Sequence, residues 1–444
     1  MEYKIFLNKS RERGKTMEKS VKEKIINIFK QPLIYVLLLC IFVQVKIYNT
    51  VPNYVMTSDS YTYAEEYKSS ILRGQVNELR TPVYPYFIKV IEKIGGQENL
   101  YNNVAIVQKI LFIITLILFY FCLKKITKSN IITLVLTIIF GICPFIVLWN
   151  IMILTESISI FESVLLSFVT ILYLEKPKKP TAIVLGIIVL GMILTRPSFI
   201  YLLPIYFLFW ILRLIFNKKE KEVISGLISL TICSVVLLGY CGLMKAQHGE
   251  FSITAINSNS YKQSGNEDMI KIVDEIKGDR SDSEICWTAL NKLKEQYSVE
   301  EIKNFANTSL KNDKNYLNFI ISKTIQLGSS NIGTASYIPN DVFINEKYAN
   351  QIYTEIGNII FPINFAMVYI MVGIAVIYIL YDLIKNKNIN WYLAFFTVLI
   401  AANIFTLIVG APFESQRLFA SSIVQVLLLI GYVVAKGIYN KKIN

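Results

Sequence analysis

Ten apolar runs dominate this chain, and most are long enough to cross a hydrocarbon core of about 30 Å, which takes roughly 20 helical residues. They lie at approximately 32–48, 104–123, 131–149, 153–174, 181–194, 199–216, 223–244, 360–381, 391–409 and 418–434. With 54% hydrophobic and 13% aromatic residues, the composition exceeds what a soluble domain of 444 residues needs. A mean hydropathy of +0.47 agrees. The chain therefore reads as an all-α polytopic membrane protein. The fifth and sixth runs are short, and Arg196-Pro197 between them reads as either a turn or a kink.

Lys and Arg orient the bundle, because short cytoplasmic loops collect them and translocated ones do not. The arm before the first run (Lys4, Lys9, Arg11, Arg13, Lys15, Lys19, Lys22, Lys24, Lys30), Lys124-Lys125-Ile126-Thr127-Lys128, Lys176-Pro177-Lys178-Lys179, Lys218-Lys219-Glu220-Lys221, Lys385 with Lys387, and Lys441-Lys442 all fall on one side. Both termini are expected in the cytoplasm. The arm lacks the short apolar core and cleavage site of a signal peptide and reads as an inner-leaflet tether. The expected organisation is a cytoplasmic basic arm at 1–31 and about seven spans at 32–245 with a catalytic outer loop at 49–103. An extracytoplasmic helical region at 246–358 and three final spans with a short tail at 359–444 complete it.

The net charge of +13 is spread over successive inner loops, as topology and anionic headgroups favour, and no nucleic-acid motif accompanies it. Of six cysteines, Cys40, Cys122, Cys143, Cys233 and Cys241 lie in or beside spans and Cys286 sits in an outer loop. Neither a disulfide framework nor a CxxC metal motif is available. His248, the single histidine, reads as an interfacial polar residue, which argues against a zinc site or a Ser/His/Asp triad. No metal and no cofactor are expected. The sequence has no Walker lysine motif and no Gly-rich dinucleotide turn, which argues against a soluble nucleotide sugar as direct donor.

Two outer regions remain. In the first, Thr57-Ser58-Asp59-Ser60 offers several N-cap residues before Tyr61, Ala64, Tyr67, Ile71 and Leu72 recur at helical spacing. The pattern predicts a helix along the membrane that Gly74 stops. Arg80-Thr81-Pro82-Val83-Tyr84-Pro85 follows as a rigid aromatic-proline turn. In the second region, Ser298 and Glu301 form a capping-box pattern before Ile302, Phe305 and Leu310, and a further helix is expected after Asp313. Residues 331–349, with Gly333 and Pro339, read as irregular, either a lid or an ordinary surface loop.

By the same topology, Thr155-Glu156-Ser157, Arg196-Pro197 and Glu414-Ser415-Gln416-Arg417 share a face with Asp59 and Arg80. Each alone is as well read as a snorkelling group or a mutual ion pair. Their order and common sidedness resemble the C-type glycosyltransferases. Asp59-Ser60-Tyr61-Thr62-Tyr63-Ala64 followed by Arg80 to Pro85 is similar to the first outer loop of that superfamily. More narrowly, it resembles the bacterial branch related to aminoarabinose lipid-A transferases and protein O-mannosyltransferases. The lysine-proline-proline segment of the former has no close copy here; Arg80-Thr81-Pro82 stands in its place.

The resemblance implies an integral-membrane glycosyltransferase that moves a sugar from a polyprenyl phosphate, or a diphosphate, to an acceptor outside the cytoplasmic membrane. Richness in Ile, Lys and Asn points to a bacterial host. On this reading Asp59 activates the acceptor hydroxyl as a base, giving inversion at the anomeric carbon. Arg80, Arg196 and Arg417 are the candidates for holding the departing phosphate, because arginine stays protonated and engages oxygens in pairs. Tyr61 and Tyr84 are candidate substrate contacts. Glu156 orients an arginine, binds the sugar or forms a structural ion pair, and Glu162 supports packing or a polar bundle contact.

Other readings stay open: Asp59 as a helix N-cap, Tyr84 as an interfacial anchor, and the chain as a transporter or flippase for lipid-linked saccharides, or as an envelope-assembly scaffold. Transporter sites sit near the midplane within repeated halves. Here the polar groups gather at one face and no repeat is evident.

Overall fold

The apolar runs become helices in the computed structural model of the chain, which describes residues 31–66, 74–77, 80–216, 221–249, 251–254, 295, 298, 321, 324–330, 349–387, 389–410 and 415–441. In chain order these are α1 (Pro32–Tyr48), α2 (Ser58–Glu66), α3 (Val83–Gly95), α4 (Leu100–Thr127), α5 (Asn130–Ile142), α6 (Pro144–Val147), α7 (Glu156–Glu175), α8 (Lys179–Thr195), α9 (Leu202–Phe216), α10 (Ile224–His248), α11 (Ala349–Ile360), α12 (Phe365–Asn386), α13 (Trp391–Gly410), α14 (Ser415–Phe419) and α15 (Ile423–Lys441). Short 3-10 turns at Leu148–Asn150, Pro197–Tyr201, Lys221–Val223 and Ala420–Ser422 join several of them. The basic arm, the expected helices after Ser298 and Asp313, the segment 331–348 and Glu414 lie outside the described residues.

Among the described residues seven helices are long and apolar enough to cross a membrane, or eight if the bent pair of α5 with α6 and its 3-10 turn counts as one span. The other two expected spans are α1 and α8, apolar helices of 17 residues each. At 1.5 Å per residue each is about 25 Å long, short of a full hydrocarbon core. The third expected span is not one rod: it breaks at Cys143 with a bend of 57°. Pro144 cannot donate to the preceding turn and its ring clashes with the carbonyl four residues back, so it starts a new helix instead. The fragment from Pro144 to Asn150 is wholly buried, so the chain turns into the protein there.

α7 and the last span form the interior, each with 72% of its most apolar stretch buried, whereas α12 buries 11% and presents its flank outward. On α7, Ser159, Ser163 and Ser167 are buried one turn apart, and small residues at this spacing let a neighbouring backbone approach closely. α8 crosses α10 at Gly186, where an added Cβ would collide with Ser229 Oγ.

The segment after α1 is docked rather than free. Val55 donates from its N–H to Ile151 O at 2.8 Å and accepts from Ile153 N–H at 3.0 Å, a two-bond bridge that ties the first loop to the chain just before α7. Ser60 Oγ accepts from the Thr57 N–H at 2.9 Å at the start of α2. The expected aromatic-proline turn is instead the opening of a second helix, α3. Pro82 is its N-cap and Pro85 lies in its first turn, where no amide hydrogen is needed. α3 buries Tyr84, Ile88 and Ile91 and exposes Val90 and Ile94, the two-faced pattern of a helix lying at an interface. Farther along, the end of α10 grips the first loop: the Val76 N–H donates to Gln247 Oε1 at 2.8 Å, and His248 Nε2 lies 2.8 Å from Val76 O.

Candidate active site

Five charged side chains from five separate stretches of sequence meet at the end of the bundle where α1 finishes and α7 begins. α2 supplies Asp59, the turn before α3 supplies Arg80, the first residue of α7 is Glu156, the residue closing α8 is Arg196, and α14 carries Arg417. Arg80 Nη2 donates to Asp59 Oδ1 at 2.8 Å and Arg417 Nη1 donates to Asp59 Oδ2 at 2.7 Å. Arg417 Nε also donates to Glu156 Oε1, which lies 3.3 Å from Arg196 Nη2. The result is a continuous chain of ion pairs among the described residues, Arg80–Asp59–Arg417–Glu156–Arg196.

Burial grades this chain. The Glu156 side chain is 0% exposed and Arg196 7%, whereas Asp59 is 30% and Arg80 19% exposed, so the cluster opens toward water at its Asp59–Arg80 end. A buried carboxylate needs its partners, and losing one leaves an uncompensated charge. Glu156 Oε2 nevertheless has no partner among the described residues. Burial alone would raise the Asp59 pKa, but Arg417 and Arg80 outweigh it and hold the carboxyl at about 2, below its usual 3.8. Among the described bonds both Asp59 oxygens accept from guanidiniums, in place of the backbone N–H groups that a cap would engage.

The aromatic candidates divide differently from the expectation. Tyr61 is 62% exposed and has no described contact with the cluster. Tyr63, two residues on, carries the Arg80 guanidinium 4.3 Å over its ring and accepts from Arg80 Nη1 at 3.3 Å through its hydroxyl. Thr62 Oγ1 accepts from Arg80 Nε at 2.7 Å. Asp59, Thr62 and Tyr63 lie at i, i+3 and i+4 on α2, a spacing that shares one helical face and was readable from the sequence. Tyr84 is neither a substrate platform nor an interfacial anchor in this structure. It is fully buried, packs edge-on to Tyr63 with ring centroids 5.2 Å apart, and donates to Gln108 Oε1 at 2.9 Å. Burial pushes its phenol well above the usual value and keeps it a neutral donor. Gln108 in turn donates to Asn150 O and Met152 O, fastening α3 and α4 to the stretch that precedes Glu156. Among the described residues no three His, Cys, Asp or Glu side chains converge as a metal site would require.

Residues 79–238 match the family described as dolichyl-phosphate-mannose-protein mannosyltransferase, a stretch that contains Arg80, Glu156 and Arg196 but neither Asp59 nor Arg417. No curated protein matches the chain. Among solved structures, an archaeal oligosaccharyltransferase, AglB from Archaeoglobus fulgidus in complex with an inhibitory peptide and a dolichol-phosphate, superposes with a TM-score of 0.50 at 12% identity. The match covers 93% of this chain and 51% of that one. The oligosaccharyltransferase of the same organism in complex with Zn and sulfate gives a TM-score of 0.51 at 13% identity, covering 92% and 49%. The chain thus spans about half the length of the solved structures it matches, and at this identity the likeness is one of fold. The likeness to the mannosyltransferase family is thus carried by residues 79–238, and the likeness to the archaeal oligosaccharyltransferases is one of all-α polytopic fold.

Proposed function

We propose that the protein transfers a sugar from a polyprenyl-phosphate donor to a cell-envelope acceptor (glycan, lipid or protein) on the outer side of a bacterial cytoplasmic membrane, with inversion at the anomeric carbon. Both termini then lie in the cytoplasm and the arginine cluster faces outward. The observation that carries this reading is the Asp59 carboxylate held between Arg80 and Arg417 at the water-facing end of a buried ion-pair chain. The name of the matched family supports the same donor class, as does the dolichol-phosphate bound by the archaeal structural neighbour.

The chemistry follows from exchange of counter-ions. In the resting site two guanidiniums keep Asp59 a weak base. A donor phosphate draws Arg80 and Arg417 onto its own oxygens, in bidentate pairs that strengthen as negative charge develops on the leaving group. Asp59, relieved of its partners, regains basicity. The acceptor oxygen then forms its bond to the anomeric carbon, the bond from that carbon to the phosphate oxygen breaks with its electron pair leaving on polyprenyl phosphate, and the acceptor proton passes to Asp59. Arg196 acts with Arg417 on Glu156 and keeps positive charge behind the phosphate, while Glu156 orients both. Tyr61, open to water beside Asp59, is the surface offered to the acceptor or sugar.

Purified protein supplied with candidate polyprenyl-linked sugars tests this reading through release of polyprenyl phosphate and gain of sugar by the acceptor. Asp59→Asn is expected to abolish transfer at normal expression while still binding donor; retained transfer sinks the base assignment. Absence of transfer by the unaltered protein with every donor, together with counterflow of a lipid-linked saccharide in vesicles, would favour a transporter.

A further inference from the structure

The second acid of α7 stands outside the ion-pair chain, yet its bonds lead back into it. Glu162 lies about 9 Å along the helix from Glu156 at 1.5 Å per residue. Its Oε1 is 2.8 Å from Thr195 Oγ1, and its Oε2 is buried with no partner among the described residues. Thr195 is the last residue of α8 and is bonded in three directions. Its hydroxyl faces both Glu162 and Gly191 O, the latter at 2.9 Å, and its carbonyl accepts from Thr81 Oγ1 at 3.0 Å. Thr81 and Thr195 are 2% and 1% exposed. Each is the chain neighbour of a cluster arginine, Thr81 of Arg80 and Thr195 of Arg196.

Neither of these arginines is carried by a helix. Arg196 follows α8 in extended backbone, with φ −146° and ψ 120°, and Arg80 precedes α3 in a turn. Side chains on such stretches keep a fixed separation only if the backbone beneath them is anchored. The Thr81–Thr195 bond joins the two turns, and Glu162 fixes the hydroxyl of the residue they share.

We propose that Glu162 is a positioning residue: acting through Thr195 and Thr81, it sets the distance between the turns bearing Arg80 and Arg196, so that Arg80 meets the phosphate while Arg196 holds its charge behind it. The inference rests on the reading of the arginines as phosphate ligands. Hydrogen-bond accounting separates the informative substitutions. One hydroxyl proton on Thr195 cannot serve both Gly191 O and Glu162 Oε1 in full. Glutamine at 162 brings an N–H to Thr195 Oγ1 and leaves the hydroxyl proton to Gly191 O, whereas leucine fills similar space and offers nothing.

The test is equilibrium binding of a short-chain polyprenyl phosphate, without sugar, to the full chain in detergent, with the melting temperature read on the same samples. Glu162→Gln is expected to bind like the unaltered protein. Glu162→Leu and Thr81→Val are each expected to weaken binding by roughly tenfold, the loss that one buried hydrogen bond represents. The double variant is expected to bind no more weakly than either single one, since both act through Thr195. Thr81→Val keeps the test open should Glu162→Leu fail to fold. A lower melting temperature with unchanged affinity in the leucine and valine variants overturns the inference and leaves the site reading intact. Equal losses in the glutamine and leucine variants also overturn it. Failure of the unaltered protein to bind polyprenyl phosphate overturns the reading of the arginines on which the inference depends.

Discussion

Arg417 bonds both acids of the cluster, so its removal is the severest test of the ion-pair chain. In Arg417→Met the side chain keeps its length and loses its charge. Glu156, with a side chain 0% exposed, is then left with Arg196 at 3.3 Å as its described partner, and breaking a buried pair from one side costs about 3–5 kcal/mol. The second bond of Arg417 goes to Asp59, which is 30% exposed, and solvent screening limits its loss to about 1 kcal/mol. Arg80→Met breaks the partly exposed pair with Asp59 and the bonds to Thr62 and Tyr63 but strands no fully buried charge, and is expected to cost about 1–2 kcal/mol. SDS-titrated unfolding in mixed micelles measures the difference. If Glu156 is the stranded charge, adding Glu156→Gln to Arg417→Met recovers on the order of 2 kcal/mol instead of adding to the loss. The reasoning is refuted if Arg417→Met is no more damaging than Arg80→Met, or if the second substitution worsens it.

Acid stability reports on Asp59. Its folded pKa of about 2 lies below the ordinary 3.8, so its ion pairs contribute stability above about pH 4 that is lost as the pH falls through about 2. Asp59→Asn is therefore expected to flatten the stability curve in that window alone, and an unaltered acid limb contradicts the pairing. At the α8–α10 crossing, Gly186→Val is expected to cost roughly 1–3 kcal/mol by overpacking, whereas Gly373→Val on α12, where an added Cβ meets nothing within 4 Å, serves as the neutral control in the same titration. Tyr84→Ala is expected to lose roughly 3–5 kcal/mol as a fully buried aromatic, while Tyr61→Ala stays within about 0.5 kcal/mol and shows its effect, if the site reading holds, in transfer kinetics.

Hydropathy made the apolar helices legible, seven of them long enough to cross a membrane among the described residues, because the bilayer imposes a length and a polarity that a single sequence displays directly. It failed where the same residue has two uses. Pro144 marks a break in an apolar run, but its sequence cannot say whether the chain bends and continues or turns inward, and burial of the following residues decided it. Ile153 and Leu154 read as the start of the fourth span, yet the helix begins at Glu156, since the backbone of Ile151 and Ile153 is committed to Val55. Pro82 and Pro85 read as rigidifying a turn, although at a helix start neither costs a hydrogen bond, and α3 was missed. At the site, common sidedness was enough to bring together Asp59, Arg80, Glu156, Arg196 and Arg417. Side-chain direction was not available, so Tyr61 stood where Tyr63 makes the contact. The Thr81–Thr195 bond joins residues 114 apart, and nothing local in either threonine announces it.

A structure of the protein with a short-chain polyprenyl phosphate bound decides whether the arginine cluster holds the donor phosphate. The phosphate is expected within hydrogen-bonding distance of Arg80 and Arg417, with Asp59 released from at least one of them and facing the water-exposed opening. A phosphate bound elsewhere, with the Arg80–Asp59–Arg417 pairs intact, would contradict the account.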